Sequence, residues 1–157
     1  MKTPAARRPL WTCPKCGAKF VTRNMWHSCG LATMADWDAR MSPHAKTLFH
    51  RFREMIAACG PYHLAPAKTR IAILARVRFA GITAVSDTSI TISFVLPKPI
   101  RSARFATIKE VAPGWWAHRI RVMETKQLDS QVQDWIRTSY RLFGMQERLA
   151  EKQARVR

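Results

Sequence analysis

Three cysteines and one histidine near the start of the chain have the spacing of a metal site. Cys13 and Cys16 are separated by two residues, and His27 and Cys29 follow after a loop of ten residues. Zinc is bound by thiolate sulfur and neutral imidazole nitrogen in a tetrahedron, and four protein ligands leave no open position for catalysis. The sequence therefore predicts a structural zinc ion (Zn²⁺) held by Cys13, Cys16, His27 and Cys29.

The residues around these ligands suit a small knuckle-like module. Gly17 follows the first cysteine pair and permits the positive φ that a tight turn requires. The loop between the ligand pairs is too short to form a hydrophobic core. We therefore expect Trp11, Phe20 and Trp26 to pack around the metal instead.

Two other interpretations of the cysteines remain open at this stage. Cys13 and Cys16 could form a redox pair, although the strand–helix context of thioredoxin-like motifs is not readable around them. The cysteines could also carry no ligand. Cys59 is the fourth cysteine, and its place on an apolar helix face predicts a buried structural thiol.

The charge of the chain indicates an anionic partner. It has 27 Lys and Arg against 10 Asp and Glu, a net charge of +17, and its first acid is Asp36. Such a field attracts polyanions, of which nucleic acid is the commonest, ahead of anionic membrane surfaces and acidic proteins. An alkaline protein without such a partner is the plain alternative. Neither a helix-turn-helix nor an RNA-binding signature is present, so DNA and RNA both remain open.

Targeting signals are not readable in the sequence. No apolar run has the length of a membrane span, and no secretory apolar segment follows Arg7 and Arg8. Reduced cysteines without a signal predict a cytoplasmic protein.

Hydrophobic periodicity predicts two helices and three strands. Ser42–Pro43 starts one helix, which Gly60–Pro61 ends, and a capping box at Ser130 starts the second, which reaches Phe143. Alternation of apolar and polar residues predicts strands over 70–79, 90–96 and 115–122.

This order of elements predicts the fold class and the division of the chain. We expect an α+β fold in which a small N-terminal zinc-knuckle-like module precedes a helix, a mostly antiparallel sheet of three or more strands, and a C-terminal helix. The predicted parts are a basic flexible tail, the zinc-binding module, a connector, the α+β domain and a charged C-terminal tail, over residues 1–9, 10–30, 31–41, 42–145 and 146–157.

The N-terminal motif also resembles a known family. The stretch from Trp11 to Phe20 and the run Asn24–Cys29 are similar to the opening of an uncharacterised bacterial family, a domain of unknown function. The resemblance covers most of residues 10–143 and includes later positions at Phe49, Gly60–Pro61, Lys68–Ile71, Phe79–Ala80, Leu128–Asp129, Trp135–Ile136 and Tyr140. It implies a small α/β fold and no established activity, and it assigns no catalytic residue.

Basic residues on the predicted strands suggest how an anion could be bound. If the strands pair in register, one sheet face carries five arginines: Arg70, Arg76, Arg78, Arg119 and Arg121. Lys68 lies close by, and an exposed Trp115 would add base stacking to phosphate contacts. The sequence therefore favours a non-enzymatic module that binds nucleic acid or another polyanion with little sequence specificity.

Two other functions remain as alternatives. Lys68, Arg70 and His118 could form a small-anion pocket or an enzyme site. However, His118 is in phase with Trp116 and Ile120, which favours a core histidine, and no catalytic triad or phosphate loop is readable. Alternatively the chain could be a protein-interaction scaffold that uses Trp37 and Trp115, although Trp37 also suits a packing anchor.

Overall fold

The computed structural model of the protein describes residues 9–148. The predicted tail over 1–9 therefore lies outside the described residues except for Pro9, and the predicted tail over 146–157 lies outside them beyond Arg148. No helix in the described part of the chain is long and apolar enough to cross a membrane.

The described residues contain three α-helices and eight strands. The helices are α1 (Met34–Arg40), α2 (Pro43–Ala57) and α3 (Ser130–Ser139). The strands are β1 (Trp11–Thr12), β2 (Lys19–Phe20), β3 (His63–Pro66), β4 (Ile71–Leu74), β5 (Arg78–Val85), β6 (Ile90–Leu96), β7 (Thr107–Ala112) and β8 (Trp115–Val122). A 3-10 turn at Thr125–Gln127 precedes α3, and a π-helical turn at Tyr140–Gly144 follows it.

Six of the strands form one sheet, and the first two form a separate hairpin. The large sheet has the order β3-β4-β5-β6-β8-β7, and each neighbouring pair is antiparallel. The predicted α+β class with an antiparallel sheet is confirmed. Sequence periodicity missed β3 and β7, which lie at the two edges of the sheet.

Helices α2 and α3 cover one face of this sheet and form the core with it. Alternate residues of β6 and β8 point into that core, as the period of two predicted. The fully buried members of this set include Ile90, Ile92, Phe94, Ile120 and Val122. The other face of the sheet is therefore left to the polar residues of the same strands.

The start of α2 follows the predicted capping chemistry. The Ser42 hydroxyl accepts a hydrogen bond from the Ala45 amide at 3.0 Å, and Pro43 is the first helical residue. Gly60 follows the helix with φ +146°, and a Cβ there would lie 2.5 Å from the Tyr140 hydroxyl oxygen. Glycine is thus required both by the backbone and by the space.

The predicted strand over 70–79 is wrong, because the chain bends in its middle. Strand β4 ends at Leu74 and β5 begins at Arg78. In the bend, the Arg76 and Val77 amides donate to the Gly144 carbonyl oxygen at 2.8 and 3.1 Å. The Arg76 guanidinium also donates, to Gln146 at 3.3 Å. Arg76 therefore lies against the C-terminal segment rather than in line with Arg78.

Helix α3 begins one residue away from the predicted cap. Its N-cap is Asp129, whose carboxylate accepts from the Val132 amide at 3.2 Å, and Ser130 is the first helical residue. Arg104 holds the same carboxylate at 3.0 Å. A carboxylate accepts more strongly than a hydroxyl at a helix N-terminus, which explains why the acid takes the cap.

The predicted connector over 31–41 contains helix α1. The Thr33 hydroxyl caps it by accepting from the Asp36 amide, and the Asp36 carboxylate accepts from the Thr33 amide. Trp37 is buried on its inner face and donates its indole N–H to the Ala67 carbonyl oxygen at 2.8 Å. Trp37 is therefore a packing anchor that fixes the segment after the cysteine cluster to the β3–β4 turn.

Candidate functional site

The β1–β2 hairpin positions the first two cysteines. Trp11 pairs with Phe20, and the Cys13 amide donates to the Ala18 carbonyl oxygen at 2.8 Å. The Gly17 amide closes the turn onto the Cys13 carbonyl oxygen at 2.9 Å, with Gly17 at φ +75°. The positive φ predicted for Gly17 is confirmed.

The second ligand pair is positioned by a turn with left-handed residues. Cys29 has φ +46° and Gly30 has φ +82°. The His27 Nδ1 lies 2.7 Å from the Met25 carbonyl oxygen. This backbone contact orients the ring and leaves Nε2 directed at the cysteines, which is the usual outer-shell arrangement for a metal-bound histidine.

The four side chains converge on one point. Their ligand atoms all lie within 4.8 Å of one another. The Cys13 and Cys29 sulfurs are 3.7 Å apart, and the Cys16 sulfur is 3.1 Å from the His27 Nε2. A tetrahedron with metal–sulfur bonds of zinc length has sulfurs about 3.8 Å apart. The residues therefore fit a metal ion, and this Cys₃His group could hold one.

Backbone amides favour a thiolate at Cys13. The amides of Cys16 and Lys15 donate toward its sulfur, and together with the neighbouring cysteines they lower the pKa of Cys13 to about 6. The pKa of Cys29 is raised to about 11, first because its sulfur shares a hydrogen bond with Cys13 and then by burial. The cluster thus releases one proton readily, and a cation is the natural counterpart of the thiolate that forms.

Aromatic rings surround the cluster, but only in part as predicted. The Phe20 ring lies 4.7 Å from the His27 ring, and the Trp11 ring lies 6.3 Å from that of Phe20. The expected packing of Trp11 and Phe20 is confirmed. The expectation for Trp26 is wrong, because 83% of that residue is exposed.

The cysteine module meets the sheet through His63 at the start of β3. The His63 ring is directed at the Lys19 backbone, and burial, followed by the Lys19 charge, lowers its pKa. Its Nε2 is buried and has no hydrogen-bond partner among the residues that the structure describes. His63 is therefore a neutral packing residue between the hairpin and the sheet edge.

The arginines beside the module fall on the sheet face opposite the helices. Arg119 pairs with Ser93 and Arg121 with Thr91, and cross-strand partners share a face. Arg78 is exposed, yet the surrounding protein lowers its pKa first by desolvation and then through the charges of Arg70 and Arg119. We call these four residues the arginine group: Arg70, Arg78, Arg119 and Arg121. Lys109 on β7 lies on the same face, and it was not among the candidate anion-binding residues identified from the sequence.

No acid neutralises the arginine group in the described part of the chain. The ion pairs there join other residues, mostly on the helices and the loops around α3. The Arg121 guanidinium donates to the Ser89 hydroxyl at 3.3 Å, which orients it without removing its charge.

Trp115 is not the exposed stacking surface that was expected. Its ring packs edge-on against Phe143, with the centroids 4.7 Å apart. Phe143 belongs to the turn after α3, so Trp115 packs against the core at the start of β8 and is only half-exposed.

Lys68, Arg70 and His118 do not form a common pocket. His118 is fully buried on β8, where Nδ1 lies 2.8 Å from the Trp116 carbonyl oxygen and Nε2 accepts from the Ile100 amide at 3.0 Å. Burial lowers its pKa, so it stays neutral. Lys68 and Arg70 lie in the exposed β3–β4 turn, and β5 and β6 separate β4 from β8.

Sequence reasoning missed a cavity between the module and the open sheet face. It measures about 500 Å³, and Trp26 and Met25 line its module side while Ala72, Leu74 and Arg78 line its sheet side. Trp26 stands in a polar stretch without periodic apolar neighbours, which was a signal of exposure. The cavity itself had no sequence signal, since it exists only where the module meets the sheet.

The comparisons with known proteins concern the part of the chain after the cysteine cluster. No curated protein and no solved structure matches the chain. A family model described as "Domain of unknown function (DUF5655)" matches residues 35–142, which is more than half of the chain. The match begins at α1 and includes the whole large sheet, whereas the four candidate ligands precede it. The chain therefore belongs to the DUF5655 family of domains of unknown function.

Proposed function

We propose that the protein is a non-enzymatic, zinc-containing module that binds nucleic acid through its phosphates with little sequence specificity. The observation that carries this proposal is the position of Arg78, on which the charges of Arg70 and Arg119 act, while no acid within residues 9–148 pairs with any of the three. Binding of an anion would stabilise these unpaired guanidinium charges.

Zinc is the metal that the ligand set favours. Thiolate and imidazole ligands in a tetrahedral arrangement select zinc over magnesium, calcium and manganese, which prefer oxygen. Cys13, Cys16, His27 and Cys29 would fill all four positions, so the ion would be structural. It would replace the hydrophobic core that the short module lacks.

The phosphate backbone of a nucleic acid fits the arginine group better than an isolated anion does. The group extends from β4 to β8, and strands lie about 4.8 Å apart, so the charges follow a path across the sheet. A chain of repeated phosphates can contact several of them at once. Each contact releases counterions, which is the main source of affinity in non-specific nucleic-acid binding.

Low sequence specificity follows from the same geometry. Phosphate contacts fix the position of a nucleic acid but do not read its bases. The arginine group lies on the exposed face of a sheet rather than on a helix or ribbon that could enter the major groove. Affinity should therefore depend on salt more than on sequence.

A salt titration with two matched variants tests the proposal. Metal-loaded protein is titrated into labelled single-stranded and duplex DNA and RNA of equal length. The variant Arg78→Gln/Arg119→Gln removes two charges from the arginine group. The control Arg51→Gln/Arg137→Gln removes the same charge from exposed positions on α2 and α3. We expect the first to reduce the salt slope by about one unit for each arginine and the control to leave it nearly unchanged.

Two results would contradict the proposal. The wild-type protein could fail to bind any of the probes at low salt, in which case the positive charge serves another purpose. Alternatively both double variants could weaken binding equally, which would show that net charge rather than the arginine group is responsible.

A further inference from the structure

The cavity beside the arginine group has two walls of different origin. The module contributes Trp26 and Met25 together with three of the candidate metal ligands, and the open sheet face contributes Ala72, Leu74 and Arg78. The three ligands are Cys16, His27 and Cys29. Its volume of about 500 Å³ is within the usual range for small-ligand sites. The space is large enough for one planar group with an anion at its edge.

The chemistry of the lining separates an apolar body from a charged rim. Apart from its arginines, the sheet wall consists of apolar side chains such as Ala72 and Leu74, and within residues 9–148 the charged side chains that line the cavity are Arg70 and Arg78. No aspartate or glutamate of the described segment lines it. A ligand that fits this lining has an apolar, flat part against the wall and a negative group between the two guanidiniums.

Trp26 supplies a stacking surface at the mouth. It is 83% exposed, and Met25 beside it is 41% exposed, so the protein leaves a large aromatic face open to solvent. Aromatic side chains that remain exposed beside cationic residues are typical of surfaces on which unpaired bases stack.

We propose that this cavity takes one unpaired base of a single-stranded nucleic acid, with the base stacked on Trp26 and its phosphate bound by Arg70 and Arg78. This inference rests on the proposed function and narrows it to single strands. Arg119 favours a polymer over a lone anionic ligand, because it is near enough to Arg78 for its charge to act there and yet does not line the cavity. The next phosphate of the same strand would reach it along the sheet face.

A duplex does not fit this arrangement. Its bases are stacked on one another and paired, so they present no free face to Trp26. Duplex DNA should therefore contact the arginine group through phosphates alone, and single strands should bind more tightly at equal salt.

The test compares three variants of the metal-loaded full chain on single-stranded and duplex probes of equal length. We expect Trp26→Ala to weaken single-strand binding about tenfold or more and to leave duplex binding unchanged, because base stacking acts only on the former. Trp26→Phe should restore most of the loss. Leu31→Ala is the matched control, since Leu31 is 91% exposed in the same module but does not line the cavity.

A spectroscopic probe reports the stacking directly. Single-stranded DNA containing 2-aminopurine should lose fluorescence when it binds the wild-type protein and lose much less with Trp26→Ala. Metal content and far-UV circular dichroism of each variant, measured first, ensure that a change at Trp26 has not released the metal held by its neighbour His27.

The outcomes separate this inference from the function on which it rests. Trp26→Ala could weaken single-strand and duplex binding equally, or it could weaken neither of them. If Arg78→Gln/Arg119→Gln still reduces the salt slope in that case, the cavity does not take a base and the phosphate-binding function stands. If no probe binds, both proposals fail. If a long-chain carboxylate such as dodecanoate binds in a Trp26-dependent way and oligonucleotides do not, the cavity belongs to a small amphiphile and the base site is wrong.

Discussion

Trp37 donates its indole N–H to the carbonyl oxygen of Ala67 at 2.8 Å and so joins helix α1 to the β3–β4 turn. The same turn is held by Arg40, whose guanidinium donates to the Lys68 carbonyl oxygen at 3.4 Å. The Ala67 amide closes the turn onto Arg70. The segment that follows the cysteine cluster thus fixes the loop that carries Arg70.

The first prediction concerns this indole hydrogen bond. Trp37→Phe keeps an aromatic ring in the buried site but removes the donor to the Ala67 oxygen. We expect the free energy of unfolding to fall by about 1 to 2 kcal/mol, because a part-buried acceptor loses its partner. Urea unfolding measures the change. Trp26→Phe, at an exposed position, should stay within about 0.5 kcal/mol of wild type, and an equal loss in both variants would contradict the assignment.

The second prediction concerns metal content. Cys16→Ser should abolish binding of zinc, while Cys59→Ser should retain it, because Cys59 lies on α2's C-terminal side, where its thiol contacts the Met55 carbonyl oxygen. Elemental analysis of the purified proteins gives the ratio of zinc to protein. Equal metal content in the two variants would exclude the Cys₃His site.

A third prediction separates the module from the core. Chelation should alter the near-UV circular dichroism, because Trp11 packs in the ring cluster of the module. The cooperative unfolding of the large sheet should persist, since the buried residues of its core begin at Trp37, after the cysteine module. An apo protein that loses its far-UV signal entirely would show that the metal holds the whole chain together.

Local patterns in the sequence were sufficient for several of these features. The spacing of Cys13, Cys16, His27 and Cys29 predicted that their side chains converge. The alternation along 115–122 predicted that Arg119 faces away from the core, because a period of two puts neighbouring residues on opposite faces. Both features depend on residues close together in the chain.

Features that depend on distant residues could not be predicted in this way. The alternation over 70–79 continues through the bend at Arg76, which forms because Gly144 offers a carbonyl oxygen from the far end of the chain. The sequence predicted an exposed Trp115, because the ring that packs against it belongs to Phe143, which is distant in the chain. The cavity likewise depends on how the module meets the sheet.

The fourth prediction concerns the start of α3, where the sequence predicted Ser130 as the N-cap and the structure has Asp129. Asp129→Ala should cost about 1 kcal/mol of stability, because the Val132 amide loses its cap and Arg104 loses its ion pair. Ser130→Ala should be nearly neutral, since Ser130 is already helical. Urea unfolding of the two variants distinguishes the assignments, and the reverse order of effects would restore Ser130 as the cap.

The fifth prediction follows from two neutral histidines. Burial lowers the pKa of His118 and of His63 from an ordinary value of 6.5. Above that value both states of the chain are neutral at these positions, and the histidines do not change stability. Below it the unfolded chain binds protons that the folded chain does not, so the free energy of unfolding should fall as the pH drops from about 7 toward 5.

The variant His118→Gln tests the contribution of the more deeply buried of the two. Its amide can accept from the Ile100 amide without binding a proton, so its stability should fall less steeply than that of wild type over the same range. Acid would also release a metal ion held by the cysteine cluster, but this would affect both proteins equally and cancel in the difference. Parallel stability curves from urea unfolding at each pH would mean that the His118 ring accepts a proton inside the folded core.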